Sequence, residues 1–281
     1  MALFRRQHME LPAELAQYLP PGDAFDQVMR LQGDVFRDVP GRHTIRVTLG
    51  QRSYFIKQHF GVGWGEIFKN LLSLRLPIVS AITEWRAIKR LQMLGIDTTP
   101  AVAYGERGSS PASRQSFLVT ADLGDIVSLE TLCATWPQQP PEPRFKRRLI
   151  LAVAEVVRTL HQHGMNHRDL YICHLCLDLP RLAQDEVHLY LIDLHRVGMH
   201  QMLPFAAQMK DLAALYFSAM DIGLNRRDYL RFLRAYHQQP LAVVLGDKQG
   251  LWRKAATRAG QLYFKMHGRM PQALPLSHAD D

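Results

Sequence analysis

Apolar and polar residues alternate through VFRDVPGRHTIRVTLGQRSYFIKQHF, residues 35–60. Val35, Ile45, Val47, Leu49, Tyr54 and Ile56 keep a period of two, the mark of strands with one buried face. Turn residues at Pro40-Gly41 and Gly50-Gln51 divide the stretch into a three-stranded antiparallel meander, with Lys57 at the end of the third strand. In SAITEWRAIKRLQMLG the period changes. Ile82, Trp85, Ile88 and Leu91 recur every third residue, Glu84 stands beside the stripe, and Gly95 is a helix stop. PAVAYGERG and QSFLVTADLG read as two further strands. The first 24 residues read as an adaptable leader. GVGWGEIFKNLLSLRLP reads as a loop and a short helix, whose Trp64, Phe68, Leu71, Leu72 and Leu74 pack between lobes or meet lipid.

The pattern changes again after Leu123-Gly124. A short helix over about Leu129 to Thr135 precedes the Pro-rich WPQQPPEP, and RFKRRLILAVAEVVRTLHQHG is one long helix ending at His163-Gly164. EVHLYLIDL alternates Val187, Leu189 and Leu191 inward, so Asp193 emerges at a strand end. MKDLAALYFSAM and the rest are helical. The elements predict an α+β chain of two lobes. Residues 1–121 form a small antiparallel β-rich lobe, and residues 122–281 a larger, mainly α lobe. Asp122 to Gly124 serve as the hinge, whose backbone is expected to hold adenine.

Composition narrows the class only a little. A chain of 281 residues with 47% hydrophobic and 21% charged residues is ordinary globular material. The net charge of +8 calls for an anionic partner. Three cysteines, Cys133, Cys173 and Cys176, make no disulfide framework, and one C-x-x-C is half of a zinc site, so no structural metal is expected. The start of the chain lacks a signal-peptide h-region, and no apolar run reaches the roughly 18 residues of a membrane span. A cytoplasmic protein that touches a membrane without crossing it is expected. Nothing in the basic stretches resembles a nucleic-acid motif.

The chemistry comes from an ordered set. Phosphoryl transfer from ATP needs a cation on the phosphates, an acid to fix it, a carboxylate for Mg²⁺ and a carboxylate at the acceptor hydroxyl. Lys57, Glu84, Asp193 and Asp169 supply these in turn, each on the element type that a kinase uses. Asp169 stands in GMNHRDLYICHLCLDLP, and Asp193 follows 24 residues later (193 − 169).

These segments, with GWGEIFKNLL, EWRAIKRL, LIDLHR and KDLAALYFSA, resemble the lipopolysaccharide core heptose kinases of Gram-negative bacteria, a branch of the protein-kinase-like superfamily. The resemblance implies a kinase-like fold and transfer of the ATP γ-phosphate to a hydroxyl of the first inner-core heptose. It implies that Lys57 holds the phosphates and pairs with Glu84. It makes Asp169 the catalytic carboxylate and Asp193 the Mg²⁺ ligand. Asp211 becomes the buried aspartate that braces the catalytic loop. The glycolipid substrate implies contact with the inner face of the inner membrane, and the family implies acyl carrier protein as a partner, a small acidic protein suited to a basic surface.

The chain departs from the protein-kinase pattern in four places, one being Asp193-Leu194-His195 where kinases carry Asp-Phe-Gly. His174 occupies the position five residues after Asp169 where kinases carry a metal-binding Asn. Imidazole suits Mg²⁺ poorly, so either His174 contacts phosphate or the metal rests mainly on Asp193. No Gly-rich loop is present, and the backbone near Gly41 with Arg42 either covers the phosphates or is an ordinary hairpin turn. Only 18 residues separate Asp193 from Asp211 (211 − 193), too few for an activation loop and a peptide shelf, which argues for a small or glycan acceptor over a protein one. Two other readings stand beside this one: a kinase for another inner-core sugar, Kdo or the second heptose, and a catalytically silent kinase-like scaffold.

Overall fold

The alternating stretch becomes three neighbouring strands in a computed structural model that describes residues 7–39, 41–61, 80–110, 112–247 and 249–271. By internal contacts the chain divides into two units. One takes the residues up to Arg90 with Thr99–Gly124, the other Leu91–Thr98 with Asp125 onward.

The first unit is built on a six-stranded antiparallel sheet. Its strands are β1 (Gln7–Glu10), β2 (Asp34–Val39), β3 (Arg42–Leu49), β4 (Arg52–His59), β5 (Ala101–Arg107) and β6 (Gln115–Ala121), in the order β1-β5-β6-β4-β3-β2. Helices α1 (Ala13–Ala16), α2 (Ala24–Arg30) and α3 (Ile82–Met93) accompany it. Ile45, Val47, Ile56, Phe117 and Val119 close a core with Phe25 and Val28 of α2. Gly50 takes φ 63° in the β3–β4 turn, which a glycine adopts without a Cβ clash.

Two expectations are corrected here. The leader is built in: β1 pairs with β5, and Met9, Leu11, Leu15 and Leu19 join the core, so the apolar content of this segment overrides its loop-like look. Val35 does not point inward. It is 66% exposed, because β2 is an edge strand whose register shifts between Val35 and Arg37. The apolar stretch of residues 62–79, with Trp64, Phe68, Leu71, Leu72 and Leu74, lies outside the described residues, as does Pro40.

In α3 the stripe is buried as its spacing requires: Trp85, Ile88 and Leu91 are shielded, and Trp85 stacks on Tyr104 with ring centroids 5.5 Å apart. Gly95, with φ 70°, follows the helix end.

The second unit opens with β7 (Ile126–Ser128) and α4 (Leu129–Cys133), followed by the 20-residue α5 (Pro143–Gln162). Pro143 at the start of α5 costs no hydrogen bond, and the Glu142 carboxylate caps the helix by accepting from Phe145 N–H at 2.7 Å. Strands β8 (Met165–Asn166), β9 (Leu175–Asp178), β10 (Leu189–Leu191) and β11 (Gly198–Met199) form two small sheets, β10-β9-β7 and β11-β8. Helix α6 (Leu179–Leu182) separates β9 from β10. Beyond β11 come α7 (Phe205–Ser218), α8 (Arg226–His237), α9 (Leu241–Asp247) and α10 (Gln249–His267). Helix α7 packs along α10, and α5 along α8. The chain is thus α+β, with its antiparallel sheet in the first unit and most of its helix in the second. Among the described residues no helix is long and apolar enough to cross a membrane.

Candidate active site

In the first unit, register sets Lys57. Its strand β4 lies between β3 and β6, with Lys57 opposite Thr44 and Leu118. Glu84 enters from the first turn of α3, and the Lys57 Nζ lies 2.5 Å from its Oε1. Glu84 is buried and Lys57 half-buried, so each charge offsets the desolvation of the other and the ammonium is held in one place. Arg42 is opposite His59 in the same register, which puts it on the sheet face of Lys57. Gly41 precedes it with φ 77°, and its carbonyl accepts from Phe60 N–H at 2.9 Å. In the segment expected to serve as the hinge, Asp122 accepts from Gly124 N–H at 3.0 Å and pairs with Arg46 at 2.6 Å.

In the second unit, α5 delivers the chain to the HRD segment through Gly164. This residue has φ 74°, and an added Cβ would lie 2.1 Å from the His200 carbonyl oxygen. The Gly164 carbonyl accepts from His200 N–H at 2.8 Å, which sets β8 against β11. Asp211, fully buried on α7, then takes hold of the loop. Its two oxygens accept from His167 N–H at 2.6 Å and Arg168 N–H at 2.8 Å, and His161 Nε2 lies 3.4 Å away. A buried carboxylate is tolerable only with its hydrogen bonds satisfied, and here the loop backbone satisfies them. Arg168 is held at φ 71° and Asp169 follows. Both Asp169 carboxylate oxygens accept from Arg196 Nη1, at 2.9 and 3.0 Å.

Asp193 is held just as firmly. The preceding residue, Ile192, donates its N–H to the His174 carbonyl and accepts from His167 Nε2, both at 2.9 Å. Asp193 then turns with φ 62°, a left-handed conformation that costs a non-glycine residue about 1–2 kcal/mol. One of its oxygens meets His195 Nδ1 and the other lies 3.5 Å from His174 Nε2. His174 Nδ1 donates to the Asp169 carbonyl at 2.7 Å. This ring therefore joins the two aspartates. A hydrogen bond to the Cys173 side chain, the Asp169 carbonyl and the Asp193 carboxylate hold its pKa up at about 9, against a burial that would lower it. Burial acts the other way on His167: it pushes the pKa down, so the ring is neutral and its Nε2 proton goes to Ile192.

The expected residues thus gather into two groups, Lys57 with Glu84 in the first unit and Asp169, His174 and Asp193 in the second. Among the described residues no three His, Cys, Asp or Glu side chains could hold a metal ion by themselves. Mg²⁺ in phosphoryl transfer keeps waters and phosphate oxygens and takes one or two carboxylates, so Asp193 is a fitting donor. Cys176 and Cys133 are buried, and burial raises their thiol pKa values to about 11 and about 12. The sequence reading gave no role to Arg196, the partner of Asp169. The signal was present: a permanent cation three residues after Asp193, in a segment that closes on the HRD loop.

Residues 26–236 match the family described as lipopolysaccharide kinase (Kdo/WaaP). A lipopolysaccharide core heptose(I) kinase WaaP of Pseudomonas aeruginosa is 50% identical over 242 residues, 86% of this chain and 90% of the relative. Its counterpart in Escherichia coli is 45% identical over 255 residues, 90% of this chain and 96% of the relative. A solved structure of WaaP in complex with acyl carrier protein superposes with a TM-score of 0.78 at 42% identity, covering 91% of this chain and 99% of that one.

Proposed function

The chain belongs to the lipopolysaccharide kinase (Kdo/WaaP) family, and from that premise we propose that it is a lipopolysaccharide core heptose(I) kinase. It is a phosphotransferase with the kinase-like fold, uses ATP as donor, and phosphorylates a hydroxyl of the first inner-core heptose. The observation that carries the reading at the level of chemistry is the frame that joins Asp169 to Asp193 through His167, His174 and Ile192.

We assign the roles as follows. Lys57, fixed by Glu84, holds the donor phosphates, and the backbone at Gly41 with Arg42 on the same sheet face covers them. Asp193 is the carboxylate for Mg²⁺, and His174 keeps that carboxylate in register with the loop through its two ring nitrogens. A Mg²⁺ bound there neutralises phosphate charge. Asp169 orients the heptose hydroxyl and accepts its proton. Asp211 holds the loop in the conformation that presents Asp169. We assign the first unit to nucleotide binding and the second to catalysis.

Two partners follow. The groove beside α5, α8 and α9, about 1150 Å³, is lined by Arg147, Arg227 and Arg234 with Leu151, Leu230 and Leu241. Its four arginines outweigh its one carboxylate, Glu155, so the groove suits a small acidic protein, and we place acyl carrier protein there. Arg227→Glu with Arg234→Glu should abolish co-purification. From the glycolipid acceptor and the net charge of +8 we infer a peripheral protein at the cytoplasmic face of the inner membrane, which should float with anionic vesicles.

The test of the function uses purified protein, ATP, Mg²⁺ and core lipopolysaccharide from a strain lacking core phosphate. A mass gain of one phosphate, located on the first heptose by phosphorus NMR and absent with Asp169→Ala, is the expected result. Phosphate on a different sugar would overturn the substrate, and no transfer with no ATP binding would overturn the enzyme.

A further inference from the structure

Asp169 opens onto a hollow of about 550 Å³ whose walls carry Arg168, Arg196, Lys210, Arg258 and His200. This is within the range of a ligand pocket. Four permanent cations therefore face one carboxylate. Arg196 is paired with that carboxylate. No carboxylate of the described residues forms an ion pair with Arg168, Lys210 or Arg258. Three uncompensated charges around one concavity repel one another, and the concave wall focuses their field. Asp193 and His174 are not among the residues lining this hollow, so it adjoins the residue assigned to the acceptor hydroxyl and not the one assigned to the metal.

We propose that this hollow is an anion subsite of the acceptor, binding a carboxylate or phosphate on the saccharide beside the hydroxyl that is phosphorylated. The inference rests on the heptose kinase reading and deepens it. Lys210 and Arg258 supply charge, and Arg196 has two alternative carboxylate partners: Asp169 when the acceptor is absent, the acceptor's own anion when it is bound. Arg196 is a positioning residue in this scheme. Its transfer to the acceptor frees the Asp169 oxygens for the hydroxyl proton. Selection is then for a hydroxyl that lies a fixed distance from a negative charge, which a neutral heptose lacks by itself.

The test measures calorimetric binding and phosphate transfer with the full chain and three probes: the deacylated inner-core saccharide, its carboxyl-reduced form and its dephosphorylated form. The variants are Lys210→Gln and Arg258→Gln, with Lys210→Arg as conservative rescue and Arg148→Gln as a remote charge control. Carboxyl reduction should weaken binding to the wild type about 10-fold or more, as loss of a charge-assisted hydrogen bond does. Each Gln variant should weaken the native saccharide about as much and the reduced one far less, because the same interaction cannot be lost twice. Lys210→Arg should restore most of the affinity, the effect should lie in acceptor KM, and nucleotide affinity should hold. Coupling to the dephosphorylated probe in place of the reduced one would identify phosphate as the anion and sustain the subsite. Equal losses in wild type and variants would overturn it while leaving the kinase reading intact. Absence of transfer to any saccharide by the wild type would overturn the reading and the subsite together.

Discussion

His167 Nε2 donates to the carbonyl of Ile192 at 2.9 Å, so the residue two before Asp169 holds the residue just before Asp193. Two segments that are 25 residues apart (192 − 167) are thereby fixed to each other beside Asp169 and Asp193. Replacing the imidazole by His167→Phe leaves the carbonyl unpaired in a partly buried place, at a cost of about 1–3 kcal/mol. Turnover should fall further than stability implies, by about tenfold or more, since small misplacement of reacting groups is expensive. Thermal unfolding and steady-state transfer measured together would check this, and unchanged turnover would break the link between the two aspartates.

Asp169→Asn keeps the shape and one acceptor for Arg196 but removes the base. The turnover number should drop about 10²–10⁴-fold, the usual range for a positioned general base. Nucleotide affinity, read by calorimetry, should stay within about twofold. Near-normal turnover would take Asp169 out of the chemistry.

Lys57→Met removes the cation that Glu84 fixes. A charge-assisted hydrogen bond contributes about 1.5–3 kcal/mol, equivalent to about 10- to 150-fold in affinity. Nucleotide KM should rise by that order, and Glu84→Gln should raise it less, because the ammonium remains but is held less firmly. If Lys57→Met binds nucleotide normally, the phosphate role lies elsewhere.

Asp211→Asn presents an amide where two backbone N–H groups converge. One of the two, from His167 or Arg168, loses its acceptor and faces an NH₂ group instead. Denaturant unfolding should show a loss of about 2–4 kcal/mol. A loss below about 0.5 kcal/mol would mean that the loop is held by other contacts.

Asp228 gives the pH dependence. Burial alone would raise its pKa, but Lys146, the Asn225 N–H and Arg231 outweigh it and hold the carboxyl below its ordinary value of 3.8. A lowered carboxylate pKa stabilises the fold fully above the unfolded value, and the gain is lost as pH falls below 3.8 through the folded one. The advantage of wild type over Asp228→Asn should be constant between pH 7 and pH 5 and shrink by about pH 3. An advantage that grows in acid would reverse the sign and refute the assignment.

Much of this was legible in the chain because local rules and the fold agree. Period-two residues gave β3 and β4, a three-residue stripe gave α3, and an HRD after a long helix gave the loop. The departures have identifiable causes. Val35 faces solvent because an edge strand need bury neither face, and β1 was hidden because its partner, β5, is almost a hundred residues away. The Arg196–Asp169 pair and the two carboxylate contacts of His174 and His195 depend on a turn at Asp193 whose positive φ no residue type announces. Lys210 and Arg258 lie on α7 and α10, and only the packing of those helices brings their charges to one hollow.

Between Asp193 and Asp211 the chain pairs over two residues, with β11 set against β8 and His200 tied to Gly164. The short link from Asp193 to α7 thus braces the loop that presents Asp169, so the same few residues that join two elements also stiffen the place where they meet.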